Sequence, residues 1–209
     1  PRLETWSWTL AGAPWTDFEW LAQLALASVE RTVGFPGLIA LKAVVCAAAV
    51  LCVYGLVRRE EASPGAALLG ALLALSAVRL RAHARPELAT LVLLPLFLAA
   101  ARERCRRPFP LWPLAVLTAL WANLHGGWPL GPGLLVLAAA GRAWQVRSHR
   151  DPAARSLLLW GAVCALASTA NPYGLDAHRV ILRHALHPPA AAGIEEWLTE
   201  GLRHFPGFW

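Results

Sequence analysis

No methionine occurs anywhere in the 209 residues, and the chain opens on Pro1. It therefore lacks a natural start and shows no N-terminal signal or first anchor, so the expectation is an internal piece of a longer protein. Charge is the second scarcity. Asp, Glu, Lys and Arg make up 15% of the residues, against roughly a quarter in ordinary soluble domains, which argues against a soluble domain with a single core. Cysteine is sparse and unpatterned. Cys46, Cys52 and Cys164 lie in apolar runs and Cys105 in an Arg-rich loop; without a CxxC or metal-ligand spacing, neither a disulfide framework nor a thiolate metal site is indicated. No internal repeat stands out. Basic excess exists, at a formal net charge of +6, but the arginines are scattered between apolar runs. That distribution points to membrane topology and away from a nucleic-acid partner.

Hydrophobic residues fill 57% of the chain, and there are 11 Trp, a residue enriched where membrane meets water. The apolar stretches are Ala/Leu-rich and broken by short Arg-rich or Pro/Gly-rich segments. The expected fold is all-α: a polytopic transmembrane bundle with about six spans and interfacial amphipathic helices on its outer face. A single membrane domain, 1–209, then divides into an external loop with an interfacial helix (1–35), spans (36–170) and an external segment (171–209). In DFEWLAQLALASVERTVG (17–34), the apolar positions favour one side of a helix that Asp17 can cap, with Glu19 in its first turn. The spans are expected at about 37–57, with Lys42 inside, then 66–78, 88–101, 111–124, 128–140 and 157–170. Several fall short of the roughly 20 apolar residues a crossing needs. They must borrow polar flanks or stop inside a protein-lined cavity.

Charge orders the ends of these spans. RREEAS (58–63), RERCRRP (102–108) and GRAWQVRSHRDPAARS (141–156) hold ten arginines, so by the positive-inside rule they face the cytoplasm. The opposite face then receives six of the seven histidines (His83, His125, His178, His184, His187 and His204) and nine of the thirteen acids. Polar groups gathered at one end of apolar helices mark a candidate site, although an exported loop is also polar simply because it is wet.

On that face, Asp17 and Glu19 stand where the interfacial helix begins. A carboxylate there can serve as a general base or hold a divalent cation such as Mg²⁺ or Mn²⁺; the plainer role is helix capping. In RLRAHARPE (79–87), Arg79, Arg81 and Arg85 suit a lipid phosphate or pyrophosphate, which their planar forks can grip. Ordinary headgroup contact would use them equally well. In NLHGGW (123–128), two glycines turn the chain and bring Asn123 and His125 to the rim, as groups that orient substrate or as parts of a turn. NPYG (171–174) repeats that pattern with Asn171 as a candidate contact. IEEW adds Glu195 and Glu196 after the amphipathic stretch DAHRVILRHALHP.

Together, Glu19-Trp20-Leu21, Arg85-Pro86, Trp121 to Gly127 and Asn171 to Gly174 resemble a group of bacterial polytopic membrane proteins of the GT-C superfamily of glycosyltransferases. The resemblance covers roughly residues 15–200. It implies an enzyme of the bacterial inner membrane that transfers a sugar from a polyprenyl-phosphate-linked donor to an acceptor on the periplasmic face. It further implies that Asp17 or Glu19 is the catalytic acid, with Arg81 or Arg85 stabilising the departing phosphate. The acids read D-F-E where the superfamily has adjacent D-E or D-x-D, so both remain candidates for the base. Two other classes fit the residues: a transporter or flippase for a lipid-linked or anionic substrate, and a non-catalytic membrane scaffold.

Overall fold

The computed structural model describes residues 3, 11–12, 15–60, 62–80 and 84–186. Among them the regular structure is helical: α1 (Trp20–Val33), α2 (Phe35–Arg58), α3 (Pro64–Leu80), α4 (Leu88–Arg106), α5 (Trp112–Leu124), α6 (Leu130–Gln145), α7 (Pro152–Ala167) and α8 (Leu175–Leu186). The all-helical expectation holds, and each expected span coincides with one helix from α2 to α7. The helix boundaries follow local chemistry. Pro36, Pro113 and Pro152 sit in the first turn of α2, α5 and α7, where a missing N–H costs nothing. Asp151 caps α7 by accepting the Ala154 N–H at 2.9 Å. Between α1 and α2 the chain turns through Gly34 at φ 75°, a left-handed conformation that disfavours side chains.

The number of crossings is where the finding is coarser than the expectation. At 24 residues, α2 is long and apolar enough to cross a membrane, and 11% of its most apolar stretch is buried in the protein, unlike the core helix of a soluble fold. Among the described residues no other helix meets the same test: α3, α5 and α7 are apolar but shorter, and α4 carries Arg102, Glu103, Arg104 and Arg106 in its last turns. Large apolar side chains nonetheless line the outside. Leu68, Leu69, Leu72 and Leu73 of α3 and Leu137 of α6 are each more than half exposed, a continuous apolar exterior that soluble monomers avoid.

The core lies among α4, α5, α6 and α7. Phe97, Trp121, Leu135 and Leu157 are fully buried, and the Phe97 and Trp121 rings meet edge to face at a centroid distance of 5.6 Å. Polar contacts fix the directions of the helices. The start of α4 meets the end of α5 through Trp121 Nε1 and Thr90 Oγ1 at 3.0 Å, while the end of α4 meets the start of α7 through Arg104 Nε and Ser156 Oγ at 3.0 Å. Helix α4 therefore runs antiparallel to both α5 and α7, and the connecting segments collect at two opposite ends. Residues 58–60, 102–107 and 142–151 form an arginine-rich end, where Glu60 pairs with Arg102 and Arg106 and Glu103 with Arg59 and Arg107. Residues 17–20, 84–90, 123–128 and 168–178 form the other.

Candidate functional site

The second end is assembled around the break between α5 and α6. Helix α5 stops at Leu124 because His125 takes extended backbone, φ −158° and ψ 144°. Its imidazole folds back onto the helix ends. Gly127 N–H donates to His125 Nδ1 at 3.1 Å, and Thr90 Oγ1 lies 2.8 Å from the same nitrogen. Thr90 accepts the Trp121 indole N–H, so its own hydroxyl hydrogen is available for His125. A nitrogen that accepts an N–H carries no proton, which puts the imidazole proton on Nε2. That nitrogen faces Glu19 Oε1 at 3.7 Å.

Glu19 is thus the acid that meets the imidazole. Both side chains are about three-quarters buried, at 28% and 25% exposure. Burial pushes the Glu19 carboxyl above its ordinary value; a hydrogen bond from the Gly126 backbone acts in the opposite sense, and the nearby Asp17 and Glu87 carboxylates add to the rise. Burial also holds His125 below its ordinary value. Both effects favour neutral forms, leaving an uncharged imidazole beside a carboxylate of increased basicity.

Asp17 plays a different part. It is buried, and its Oδ1 accepts the Gln23 side-chain amide at 2.9 Å. The expectation that it caps α1 is corrected: the helix begins at Trp20, Glu19 occupies the cap position without a side-chain cap bond, and Asp17 lies two residues before that position. Among the described residues no three His, Cys, Asp or Glu side chains converge as a metal site. The two carboxylates alone do not make a cation cage, which takes six or more oxygens for Ca²⁺ and near-octahedral geometry for Mg²⁺.

Asn123 is buried and committed to the protein. Its amide donates to Ala119 O at 2.8 Å and Ala170 O at 2.9 Å, and its oxygen accepts the Trp20 indole N–H at 2.8 Å. One side chain therefore ties α1, α5 and the end of α7 together beneath Glu19. Asn171 is likewise occupied, closing a turn through Tyr173 N–H, Ser168 O and Gly174 O. Next to it Ser168 Oγ lies 2.8 Å from His178 Nε2, and the His178 ring packs at a tilt against Trp128 with centroids 4.7 Å apart, which docks α8 onto the same end. Arg79 is exposed at the end of α3, and Arg85 is exposed in the turn before α4. Arg81, Glu195 and Glu196 lie outside the described residues.

The structure thus brings Asp17, Glu19, Asn123 and His125 together and gives them unequal tasks. Thr90 and Gln23, which help hold them, belong to no motif, and Trp121, which opens the Trp121 to Gly127 stretch, was not singled out as a support; a lone hydroxyl in the first turn of an apolar helix was the available signal for Thr90. Compared with family models, curated proteins and solved structures, the chain gives no significant match.

Proposed function

We propose that the chain belongs to an integral-membrane glycosyltransferase of GT-C type, acting on the outer face of a bacterial inner membrane with Glu19 as its general base. The observation that carries this reading is the Glu19–His125 pair at 3.7 Å. Glu19 is a largely buried carboxylate of raised basicity, set in a loop ahead of an amphipathic helix at one end of an apolar bundle. In this reading α2 to α7 are six crossings, the shorter ones accommodated by tilt or local thinning, and the exposed leucines face lipid. The arginine-rich end lies in the cytoplasm, so Glu19 opens to the periplasm.

The chemistry is a displacement at a sugar carbon. Glu19 takes the proton of an acceptor hydroxyl as its oxygen bonds to the anomeric carbon. The bond from that carbon to the lipid-phosphate oxygen breaks, and the phosphate leaves with the electron pair. His125 Nε2–H faces the carboxylate from 3.7 Å. In this reading Arg85, exposed at the same end, meets the departing phosphate, because its planar fork suits phosphate oxygens.

Sugar transfer from polyprenyl-phosphate donors, assayed with the full-length protein in membranes, tests this reading. Glu19→Gln should lose about 10²–10⁴-fold in rate, whereas Asp17→Asn, which retains an acceptor for Gln23, should lose less. Full transfer by Glu19→Gln would remove Glu19 from the role of base.

A further inference from the structure

We propose that the arginine-rich end carries a second site, which binds a lipid with an anionic phosphate headgroup. A cavity of about 440 Å³ opens there between α4, α6 and the turn after α2, and Arg102, Arg106 and Arg142 reach its walls alongside Glu60. Directly against it runs a second cavity of about 380 Å³, lined by apolar side chains that include Val53 and Leu56 of α2, Leu94 of α4 and Leu134 of α6. The two share Glu60, Leu98 and Arg102. A polar basin with an excess of positive charge thus continues into an apolar groove, floored by α4 and walled by α2 and α6.

That continuity selects the ligand. A free phosphate would use the basin and leave the groove empty; a neutral lipid would use the groove and leave the guanidinium groups unanswered. An amphiphile with a phosphate head and hydrocarbon chain satisfies both. The basin is not sealed by its own ion pairs. Among the described residues Glu60 is the carboxylate that pairs with both Arg102 and Arg106, Arg106 donates once more to the Arg59 carbonyl, and Arg142 reaches Asp151 only at 3.4 Å through two nitrogens. Arginine forks with a shared or loose partner retain donors for phosphate oxygens. Pro95 lines the groove and interrupts α4, having no N–H to donate to the Leu91 carbonyl. The site lies at the opposite end from Glu19 and His125 and stands independently of the sugar-transfer reading.

The test uses full-length protein in nanodiscs of phosphatidylcholine, with or without a minority of phosphatidic acid, and native mass spectrometry to count retained lipid. Wild type should retain phosphatidic acid over phosphatidylcholine. Gln145→Glu places a negative charge on the basin wall at an exposed residue that makes no ion pair, so folding is spared, and retention should fall about fivefold, the effect of one charge near a lipid surface. Glu60→Gln should raise retention by removing the carboxylate that Arg102 and Arg106 share. Leu134→Trp, which fills the groove and leaves every charge in place, should also lower it. Arg150→Glu, at an exposed position outside the cavity, should leave it unchanged. Three results would overturn the proposal: equal retention of both lipids, an Arg150→Glu effect as large as that of Gln145→Glu, or displacement of the lipid by inorganic phosphate with Leu134→Trp unaffected.

Discussion

The indole N–H of Trp20 donates to the amide oxygen of Asn123 at 2.8 Å, joining the first residue of α1 to the last turn of α5. Asn123 also donates to Ala119 and Ala170, so it is the knot through which the loop bearing Glu19 is fixed to the bundle. Asn123→Ala removes three hydrogen bonds and takes the acceptor from the part-buried Trp20 indole N–H, at a cost of about 1–3 kcal/mol, read as a lower midpoint in thermal unfolding. Trp20→Phe should cost less. The double variant should show a coupling of about 0.5–1.5 kcal/mol. Full additivity would mean that the indole–amide bond does not hold α1.

Gly127 is required by close approach. A Cβ there would stand 2.7 Å from Thr90 Oγ1 and 2.8 Å from His125 Nδ1, in the middle of the hydrogen bond that orients the imidazole. Gly127→Ala should therefore displace His125 from Glu19 and lower kcat with little change in KM. Gly126→Ala meets the edge of the Phe18 ring at 3.0 Å, a side chain that can give way, and should be milder. Thr90→Val, which keeps the shape and removes the hydroxyl, should reproduce part of the Gly127→Ala defect. Unaltered kcat of Thr90→Val in the proposed sugar transfer would show that Gly127 N–H alone positions the ring.

The helices were legible in the chain because local signals recur along it: a proline in the first turn of α2, α5 and α7, glycine or polar breaks between helices, and apolar bodies from α2 to α7. The break at Asn123-Leu124-His125 was legible as a place where polar groups gather. Its division of labour was not. Asn123 and His125 are two residues apart with similar polarity, yet one faces into the bundle and bonds Ala170, while the other turns out toward Glu19. That choice depends on φ and ψ at His125 and on Thr90, which lies in a different helix. Asp17 and Glu19 were indistinguishable for the same reason. Which of them meets His125 is set by where α1 begins, and a shift of the helix start by a few residues exchanges their roles. The number of crossings is set by length and tilt, which short apolar runs leave open.

The Glu19 and His125 shifts make opposite predictions with pH. Burial raises Glu19 above 4.5, so the folded chain holds this proton more tightly than the unfolded one. Its contribution to stability is complete below 4.5 and is lost as pH rises through the folded value. Burial lowers His125 below 6.5, so its contribution is complete above 6.5 and is lost as pH falls through the folded value. Relative to wild type, Glu19→Gln should therefore gain stability as pH rises from the acidic range toward neutrality. The His125→Gln deficit should shrink as pH falls below 6.5. In sugar transfer, the acidic limb of kcat/KM should lie above the 4.5 of an ordinary glutamate, because the base works only when ionised. A limb at or below 4.5 would contradict the burial of Glu19 in the working enzyme.

The antiparallel packing of α4 to α7 places Ala84 and Arg150 at opposite ends of the bundle, and both residues are exposed. If α2 to α7 cross a bilayer, single cysteines at these two positions must lie on opposite sides of it. Cys46, Cys52, Cys105 and Cys164 carry free thiols and have to be replaced first. Arg150 is a better probe than Arg147, whose φ of 52° already strains a residue with a side chain. In intact cells, a membrane-impermeant maleimide should label Ala84→Cys directly and Arg150→Cys only after the membrane is opened. The arginine content of the loops predicts this direction, because short basic loops stay in the cytoplasm. Labelling of both from the same side would show that the bundle does not cross as drawn. Reversed labelling would keep the bundle and move Glu19, with any chemistry it performs, to the cytoplasmic face.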